Sequence, residues 1–118
     1  MRKLAKETSK ALKSLGATET INSGATQKNG DGFIKLDNYR PSIFNGFLIE
    51  AKFTEKLGFR ITKDTLDKIK KEGYDNNQMG VLLVGFIDKD KHSEEFIMMD
   101  VNAFAWMVDQ LRDVKGKK

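Results

Sequence analysis

The strongest constraint on how this chain folds is an unbroken run of apolar residues in its second half. Residues 81–87 read Val-Leu-Leu-Val-Gly-Phe-Ile, with no polar side chain among them. A strand with one face in water alternates apolar and polar residues, whereas a continuous apolar run is typical of a strand that is covered on both faces. Residues 95–100 follow across a charged turn and are predicted to form the neighbouring strand.

The other predicted elements follow from hydrophobic periodicity, capping residues and glycines. They are a helix over 3–15 that ends at Gly16, a loop over 22–32, strands over 33–37, 47–53 and 59–61, a connecting loop over 39–45, a helix that begins at Thr62 or Thr65 and ends before Gly73, and a final helix capped by Asp100. In the final helix, four apolar residues are expected to point into the core: Val101, Phe104, Val108 and Leu111.

Chain length and composition indicate one small folded domain. The 118 residues are 39% hydrophobic and 32% charged, which is enough for a single core. We expect the domain to span residues 1–114, followed by a flexible basic tail over 115–118. The apolar runs are far shorter than the roughly 20 residues of a membrane-spanning helix, and Met1 leads into a charged helix rather than a signal peptide. We therefore expect a cytoplasmic location.

The lack of cysteine and the presence of a single histidine, His92, exclude several kinds of site. Disulfide scaffolds, zinc fingers, thiol catalysis and Ser-His-Asp triads all require residues that this chain has almost none of. We therefore expect any metal in this protein to be held by oxygen atoms.

The net charge of +4 is unevenly distributed along the chain. Residues 1–16 carry five basic side chains and one carboxylate, and residues 28–71 carry ten basic and six acidic side chains. Residues 72–114 reverse this balance, with three basic side chains and nine carboxylates. One part would attract a polyanion and the other would repel it, which indicates an oriented encounter with nucleic acid. Chance variation in surface charge is the alternative.

Glu7 is the one carboxylate in the first predicted helix. At about 100° per residue, the lysines of this helix cluster opposite its apolar face, and Glu7 falls at the border between the two faces. From there it can point along the protein surface into a neighbouring site. The alternative is a solvated partner for Lys3 or Lys10.

Glu50 and Lys52 lie in the apolar strand predicted over 47–53. Residues two apart on a strand point to the same face, so the carboxylate and the ammonium share a face. Taking both charges out of water is costly unless they are paired or bind something, so such a pair usually belongs to a site. The alternative is a strand at a sheet edge, with both side chains in water.

Asp31 lies where the loop over 22–32 meets the next strand. If this strand and the one over 47–53 are neighbours, Asp31 and Glu50 converge, and with the Ala51 carbonyl they form an oxygen site suited to Mg²⁺ or Mn²⁺. Such an ion polarises a scissile phosphate and lowers the pKa of a bound water, while Lys52 orients that water or offsets charge on the phosphorane. Asp37 is a competing acid, closer to Glu50 in the sequence.

Taken in order, these motifs resemble the PD-(D/E)XK nucleases. They are Glu7 in a first helix, Asn-Ser-Gly-Ala-Thr at 22–26, Gly30-Asp31, Phe-Leu-Ile-Glu-Ala-Lys at 47–52, a lysine-rich helix and the apolar run at 81–87. Within these nucleases, residues 3–100 are most similar to the small archaeal-type Holliday junction resolvases and their phage-encoded relatives, which often carry a segment like 59–69. Gly30 stands where the motif usually has proline, and no arginine directly precedes the Ser-Gly loop.

The resemblance implies an α/β fold with a central mixed sheet flanked by helices. It implies a homodimer with two metal sites, since a four-way DNA junction has to be cut on two opposed strands. It makes Asp31 and Glu50 metal ligands, Lys52 the catalytic lysine, Glu7 an accessory acid and Ser23 a loop residue near the scissile phosphate. A general or restriction-like nuclease and a non-catalytic basic DNA-binding phage accessory protein are the alternative functions.

We expect branched DNA to be bound mainly through its phosphates and recognised by shape, because no recognition helix or stacking platform is evident. The candidate phosphate contacts are Lys6, Lys10, Lys28, Lys56, Arg60 and Lys63. Five aromatic residues are expected either to contribute to a dimer face or to be ordinary core residues: Phe44, Phe47, Phe53, Phe59 and Trp106. We expect no organic cofactor and no membrane partner.

Overall fold

The structure, a computed structural model, describes residues 5–20, 30–38 and 41–112. The predicted tail at 115–118 and most of the predicted loop over 22–32 lie outside these residues. The described residues form three helices and five strands. In chain order they are α1 (Ala5–Ser14), β1 (Thr18–Glu19), β2 (Gly32–Lys35), β3 (Gly46–Thr54), α2 (Lys63–Asp75), β4 (Met79–Ile87), β5 (Ser93–Met98) and α3 (Val101–Arg112).

The strands form one sheet in the order β1-β2-β3-β4-β5. β3 and β4 are parallel, and all other neighbouring strands are antiparallel. A parallel pair needs a crossover connection, which α2 supplies. The predicted α/β architecture, a mixed sheet flanked by helices, is confirmed, and so is the prediction that residues 95–100 lie beside the apolar strand.

Helices cover both faces of the sheet. Leu12 of α1 and Ala103 of α3 belong to one apolar cluster with alternate residues of β3 and β4. On the other face, Ile69 of α2 packs against Leu82 and Val84 of β4. All but one of the β4 residues are buried, so the prediction of a strand covered on both faces is confirmed. None of the described helices is long and apolar enough to cross a membrane.

α2 begins as predicted but ends later. Thr62 is its N-cap, and the Thr62 side-chain oxygen accepts a hydrogen bond from the Thr65 N–H at 3.3 Å. The predicted end before Gly73 is wrong, because the helix continues to Asp75. Gly73 is buried against β4, where a Cβ would lie only 2.4 Å from the Gly80 nitrogen. This glycine allows the helix to approach the strand closely rather than ending the helix.

The strand predicted over 59–61 is not formed. These residues connect β3 to α2, and both sides of β3 are already paired, one with β2 and the other with β4. Phe59 and Ile61 instead pack against the apolar cluster beneath α2. The apolar character of this segment therefore serves packing and not strand pairing. β1, which pairs with β2, is a strand that the sequence pattern did not predict.

α3 is capped as predicted but turns a different face to the core. The Asp100 carboxylate accepts a hydrogen bond from the Ala103 N–H at 3.0 Å. The predicted inward face is wrong: Val101, Phe104 and Leu111 are exposed and Val108 is only half-buried. Ala103 is buried, and Trp106 and Met107 pack beside it against the core. Because both sides of this helix are apolar, its periodicity alone does not decide which side points inward.

The five aromatic residues considered for a dimer face belong to the core. Phe47 and Phe53 are buried. Phe44 and Trp106 pack against the cluster beneath α1 and α3, and Phe59 packs against the cluster beneath α2. The Phe47 and Trp106 rings meet edge to face, with centroids 5.6 Å apart. Their interpretation as ordinary core aromatics is therefore the one that the structure supports.

Candidate active site

Two glycines place Asp31 immediately before β2. Gly30 has a φ of +72°, which proline cannot adopt because its ring holds φ near −65°. A Cβ on Gly30 would lie 3.0 Å from the Ile49 carbonyl oxygen, and one on Gly32 would lie 2.9 Å from the Thr18 carbonyl oxygen. Glycine therefore suits this backbone where the resembled motif usually has proline.

Asp31 is joined to β3 by two hydrogen bonds. Its N–H donates to the Ile49 carbonyl at 2.7 Å, and its Oδ2 accepts from the Ala51 N–H at 2.8 Å. The regular pairing of β2 with β3 ends at Gly32, opposite Ile49, so Asp31 lies just past the end of this ladder. The structure thus brings Asp31 next to the Glu50-Ala51 segment.

Glu50 and Lys52 share the face of the sheet that α2 covers, beside Leu82 and Val84 of β4. The alternative of a wet edge strand is wrong, because β3 is paired on both sides. The Lys52 Nζ lies 3.8 Å from a Glu50 carboxylate oxygen, and the two side chains are 30% and 18% exposed. The mutual attraction offsets part of the free energy that burial of both charges costs.

The Ala51 carbonyl points toward Asp31. In an extended strand, the N–H and C=O groups of one residue point to the same side. The Ala51 N–H donates to Asp31, so the Ala51 carbonyl also faces the β2 side of β3. The paired part of β2 ends at Gly32, opposite Ile49, and therefore does not extend as far as Ala51. The Asp31 carboxylate and the Ala51 carbonyl thus lie on the β2 side of β3, and Glu50 is the residue before Ala51. Two carboxylates and a carbonyl are a donor set that fits Mg²⁺ or Mn²⁺.

Asp37, the competing acid, lies at the wrong end of β2. The register pairs Lys35 with Gly46, and the Leu36 N–H donates to the Asn45 carbonyl. Asp37 therefore follows the end of β2 that adjoins the start of β3, six residues from Asp31, which is about 20 Å at the rise of a strand. The structure places Asp31, not Asp37, beside Glu50.

Glu7 lies on α1 and is half-buried. α1 packs on the face of the sheet opposite to Glu50 and Lys52, so Glu7 does not lie on the same face as these two residues. Two residues on, Ser9 donates a hydrogen bond of 2.7 Å to Glu19, and Glu19 pairs with Gly32, next to Asp31. α1 thus passes near this end of β2, in the layer opposite to Glu50. Ser23, the predicted loop residue, lies outside the described residues.

The basic residues predicted to bind DNA fall into two groups. Lys6 and Lys10 are exposed on α1, whereas Lys56 and Arg60 are exposed on the connection from β3 to α2 and Lys63 is the exposed first residue of α2. This connection continues directly from the strand that carries Lys52. Lys63 is paired with Asp67 of α2 at 2.9 Å, which lowers its value as a phosphate contact. Lys28 lies outside the described residues.

A second group of possible metal ligands occurs in the β4–β5 turn. Asp88, Asp90 and His92 each offer one ligand atom, and these atoms lie within 4.8 Å of one another. These residues were not among the predicted site residues, although the Asp-x-Asp-x-His spacing at 88–92 was a signal for them. All three are exposed, and the Asp88 carboxylate already accepts hydrogen bonds from the N–H groups of Asp90 and His92, both at 2.9 Å. These bonds shape the turn.

Comparison with models of protein families, with curated proteins and with solved structures finds no match to the chain. The class of the protein is therefore inferred from its own residues. The two features that bear on it are the contact of Asp31 with β3 and the Glu50–Lys52 pair.

Proposed function

We propose that this chain is a metal-dependent endonuclease of the PD-(D/E)XK class that hydrolyses DNA phosphodiesters. The observation that carries this proposal is the hydrogen bond of 2.8 Å from the Ala51 N–H to the Asp31 carboxylate. It joins an acid to a strand 20 residues further along the chain, beside a carboxylate and an ammonium that share one face.

The order of the elements around the site supports this class. Asp31 directly precedes β2, Glu50 lies on the neighbouring antiparallel strand β3, and the lysine follows on β3, before the crossover helix α2. A chain without cysteine and with one histidine has carboxylates, lysines and a hard metal as its available catalytic groups. Hydrolysis of a phosphodiester is a reaction that such a set can catalyse.

The Asp31 and Glu50 carboxylates and the Ala51 carbonyl would hold the Mg²⁺ or Mn²⁺ ion. When bound, this ion supplies Lewis-acid polarisation of the scissile phosphate and a water of lowered pKa. The buried apolar residues on both sides of β3 limit the rotation of these ligands. Glu7 is proposed as an accessory acid that approaches from the opposite layer, and Ser23 as a contact to the scissile phosphate.

Lys52 supplies a positive charge on the face where the phosphate would lie. Glu50, with a carboxylate oxygen 3.8 Å from the Lys52 Nζ, restrains the ammonium there. The Lys52 N–H groups can donate to the attacking water and orient it, or donate to phosphate oxygens as their negative charge increases. Both roles require the ammonium to be held in place, and the ion pair with Glu50 favours this.

The proposed substrate is a four-way DNA junction, cut by a homodimer. Exposed basic side chains lie on α1, which covers one face of the sheet, and on the β3–α2 connection, and two separate basic regions suit phosphates of more than one DNA arm. The test is a cleavage assay with Mg²⁺ on a four-way junction beside linear duplexes of the same sequence. We expect the junction to be cut preferentially and EDTA to abolish cutting. Equal cutting of both substrates would indicate a general nuclease instead.

Asp31→Asn tests the site within that assay. An asparagine oxygen still accepts the Ala51 N–H, so the fold is kept while the metal-binding charge is lost. We expect cleavage to fall at least about 100-fold in Asp31→Asn and in Lys52→Ala. Asp37→Asn is the matched control, since Asp37 is exposed and at the far end of β2, and it should cleave like the wild type. Unchanged cleavage in both Asp31→Asn and Lys52→Ala would rule out the proposed site.

A chain that binds DNA but cuts none of these substrates with Mg²⁺ or Mn²⁺ would contradict the nuclease proposal. It would favour the alternative of a non-catalytic DNA-binding accessory protein. Isothermal titration of Mn²⁺ into wild type and Asp31→Asn separates this outcome from an active enzyme given the wrong DNA. A functional metal site predicts Mn²⁺ binding that is weakened by Asp31→Asn.

A further inference from the structure

A groove lined by phenylalanines opens beside β5, the edge strand of the sheet. It has a volume of about 540 Å³, within the range of about 300–1,000 Å³ that is typical of sites for small ligands. Its four phenylalanines are far apart in the sequence, and the fold brings them together from the β3–α2 connection, β4, β5 and α3. They are Phe59, Phe86, Phe96 and Phe104, and the site is named here the phenylalanine groove.

Three of these rings form a continuous aromatic row. The Phe59 and Phe86 centroids are 5.3 Å apart, and the Phe86 and Phe96 centroids are 6.1 Å apart. Both separations fall in the range of about 4.5–7 Å for interacting aromatic pairs. The row ends in solvent, because Phe96 is 52% exposed, and Phe104 of the same groove is 55% exposed. Two phenylalanine rings thus offer about half of their surface to a ligand.

The phenylalanine groove adjoins the candidate active site. Val84 lines the groove and is the strand partner of Lys52, and Phe96 is the strand partner of Val84. Side chains of residues paired in this way point to the same face of the sheet. Lys52 and Phe96 therefore lie in one row across the sheet, two strand spacings or roughly 10 Å apart. A DNA strand with a phosphate at Lys52 has its neighbouring nucleotides within reach of the groove.

The charges at the groove suit the base of a nucleotide rather than its phosphate. Asp100 is the one charged residue that lines the groove, and its carboxylate is paired with the Lys70 Nζ at 3.3 Å. Positive charge lies beside the groove, on Lys52 and on the exposed Arg60, which follows Phe59 in the chain. Proteins bind single-stranded nucleic acid with this combination, stacking the bases on aromatic rings and pairing the phosphates with cations.

We propose that the phenylalanine groove stacks one or two nucleobases that have left the base stack beside the scissile phosphate. The choice of DNA rests on the proposed function, because the groove adjoins the place where that function puts the phosphate. Taking a base out of a duplex costs free energy, and the cost is least where the base is mismatched or already unpaired. The groove therefore selects branch points with unpaired bases over continuous duplex.

Binding of junctions in EDTA, where no DNA is cut, tests this proposal. One four-way junction carries two unpaired thymidines at its branch point, and a matched junction carries abasic sites at the same two positions. The two junctions differ in bases and not in phosphates. Fluorescence anisotropy should show that the thymidine junction binds about 5- to 150-fold more tightly, as expected for one stacked base. Because the phosphate contacts are equal, this ratio of affinities should change little with salt.

Phe96→Leu and Phe104→Leu each remove an aromatic ring from the groove and keep an apolar side chain. Both residues are about half exposed, so both variants should fold, which circular dichroism and thermal unfolding check. Each variant should lower the affinity ratio, and the double variant should bring it to about one. Tyr74→Leu is the matched control, because Tyr74 is 40% exposed on α2 and lies outside the groove. Its ratio should equal that of the wild type.

Two results of the binding assay overturn the proposal. One is equal binding of the two junctions by the wild type, and the other is a ratio that the double variant keeps or that Tyr74→Leu lowers equally. Light scattering supplies a third such result. A mass that falls from two chains to one in the double variant would assign the groove to a protein partner instead of a base.

Cleavage assays keep this proposal separate from the nuclease proposal. A base preference that depends on Phe96 and Phe104 supports the groove even if the chain cuts no DNA, and the nuclease proposal then fails alone. A chain that cuts junctions with Mg²⁺ but shows no base preference overturns the stacking role of the groove and leaves the nuclease function intact.

Discussion

At the scale of single residues, the position of Asp31 depends on the glycines beside it. Gly30 provides a left-handed backbone and closely approaches β3, and Gly32 lies tightly against β1 and α1. These contacts direct the Asp31 carboxylate to the Ala51 N–H, which has no partner from the β2 backbone. The Asp31 carboxylate therefore accepts a backbone hydrogen bond from β3 and is also a candidate metal ligand.

Gly30→Ala should destabilise the protein more than Gly16→Ala. Both glycines have nearly the same φ, +72° and +71°, so alanine at either position costs about 1–2 kcal/mol of backbone strain. A Cβ at Gly16 meets nothing within 4 Å, whereas at Gly30 it meets the Ile49 carbonyl oxygen and the Leu48 side chain. Chemical denaturation should therefore show a larger loss in the free energy of unfolding for Gly30→Ala. Equal losses would contradict the crowding at Gly30.

At the scale of elements, Asp100 joins β5, α3 and α2. One carboxylate oxygen caps α3 by accepting the Ala103 N–H. The other lies 3.3 Å from the Lys70 Nζ on α2. The hydrogen bond to Asp100 and its negative charge raise the pKa of Lys70 above the usual 10.5. Because this pKa is raised in the folded state, the interaction stabilises the fold below about pH 10.5 and is lost as the pH rises through the folded-state value.

Two substitutions at Asp100 separate its two roles. Asparagine caps helices about as well as aspartate, so Asp100→Asn should remove the charge interaction alone, whereas Asp100→Ala should also lose the cap, a further cost of about 1 kcal/mol. The measurement is the free energy of unfolding near neutral pH and above pH 10.5. The difference between wild type and Asp100→Asn should shrink at high pH. A difference independent of pH would contradict the role of Lys70.

At the scale of the whole molecule, the sheet separates two kinds of surface. The candidate site lies at β2 and β3, with exposed basic residues on the connection that follows β3. β5, from the acidic part of the sequence, forms the opposite edge of the sheet. The exposed basic residues of the β3–α2 connection and the exposed Glu94 and Glu95 of β5 therefore lie in different parts of the molecule. The proposed approach of DNA is from the β2–β3 side.

Replacing both Lys56 and Arg60 by alanine should weaken DNA binding and lower its salt dependence. Each phosphate contact removed should reduce the slope of log K against log salt by about one. The matched control replaces Lys68 and Lys71 of α2, which pair with Glu72 and Asp75 at 3.9 and 3.0 Å and should change the slope little. Fluorescence anisotropy without divalent metal measures binding in the absence of cleavage. Equal slopes for the two double variants would contradict the proposed DNA path.

Local features were predictable from the sequence because they depend on neighbouring residues. The buried strand β4, the Thr62 and Asp100 caps and the shared face of Glu50 and Lys52 all follow from periodicity or capping over a few residues. The lack of cysteine and the single histidine also excluded thiol catalysis, disulfide scaffolds and cysteine-rich zinc sites from the sequence alone.

Other features were decided only by tertiary contacts: which acid lies near Glu50, what Gly73 does, and which side of α3 is buried. Asp31 and Asp37 flank the same predicted strand, and Asp31 was favoured only by its place after the Ser-Gly-Ala loop. The pairing of β2 with β3 leaves Asp31 beside Ala51 and puts Asp37 at the other end of β2. Gly73 has the form of a helix stop, yet contact with Gly80 makes it a packing residue. α3 has two apolar sides. Packing on the sheet buries the side that carries Ala103 and leaves the side that carries Phe104 exposed. Each outcome depends on contacts between residues distant in the chain, which periodicity and capping do not encode.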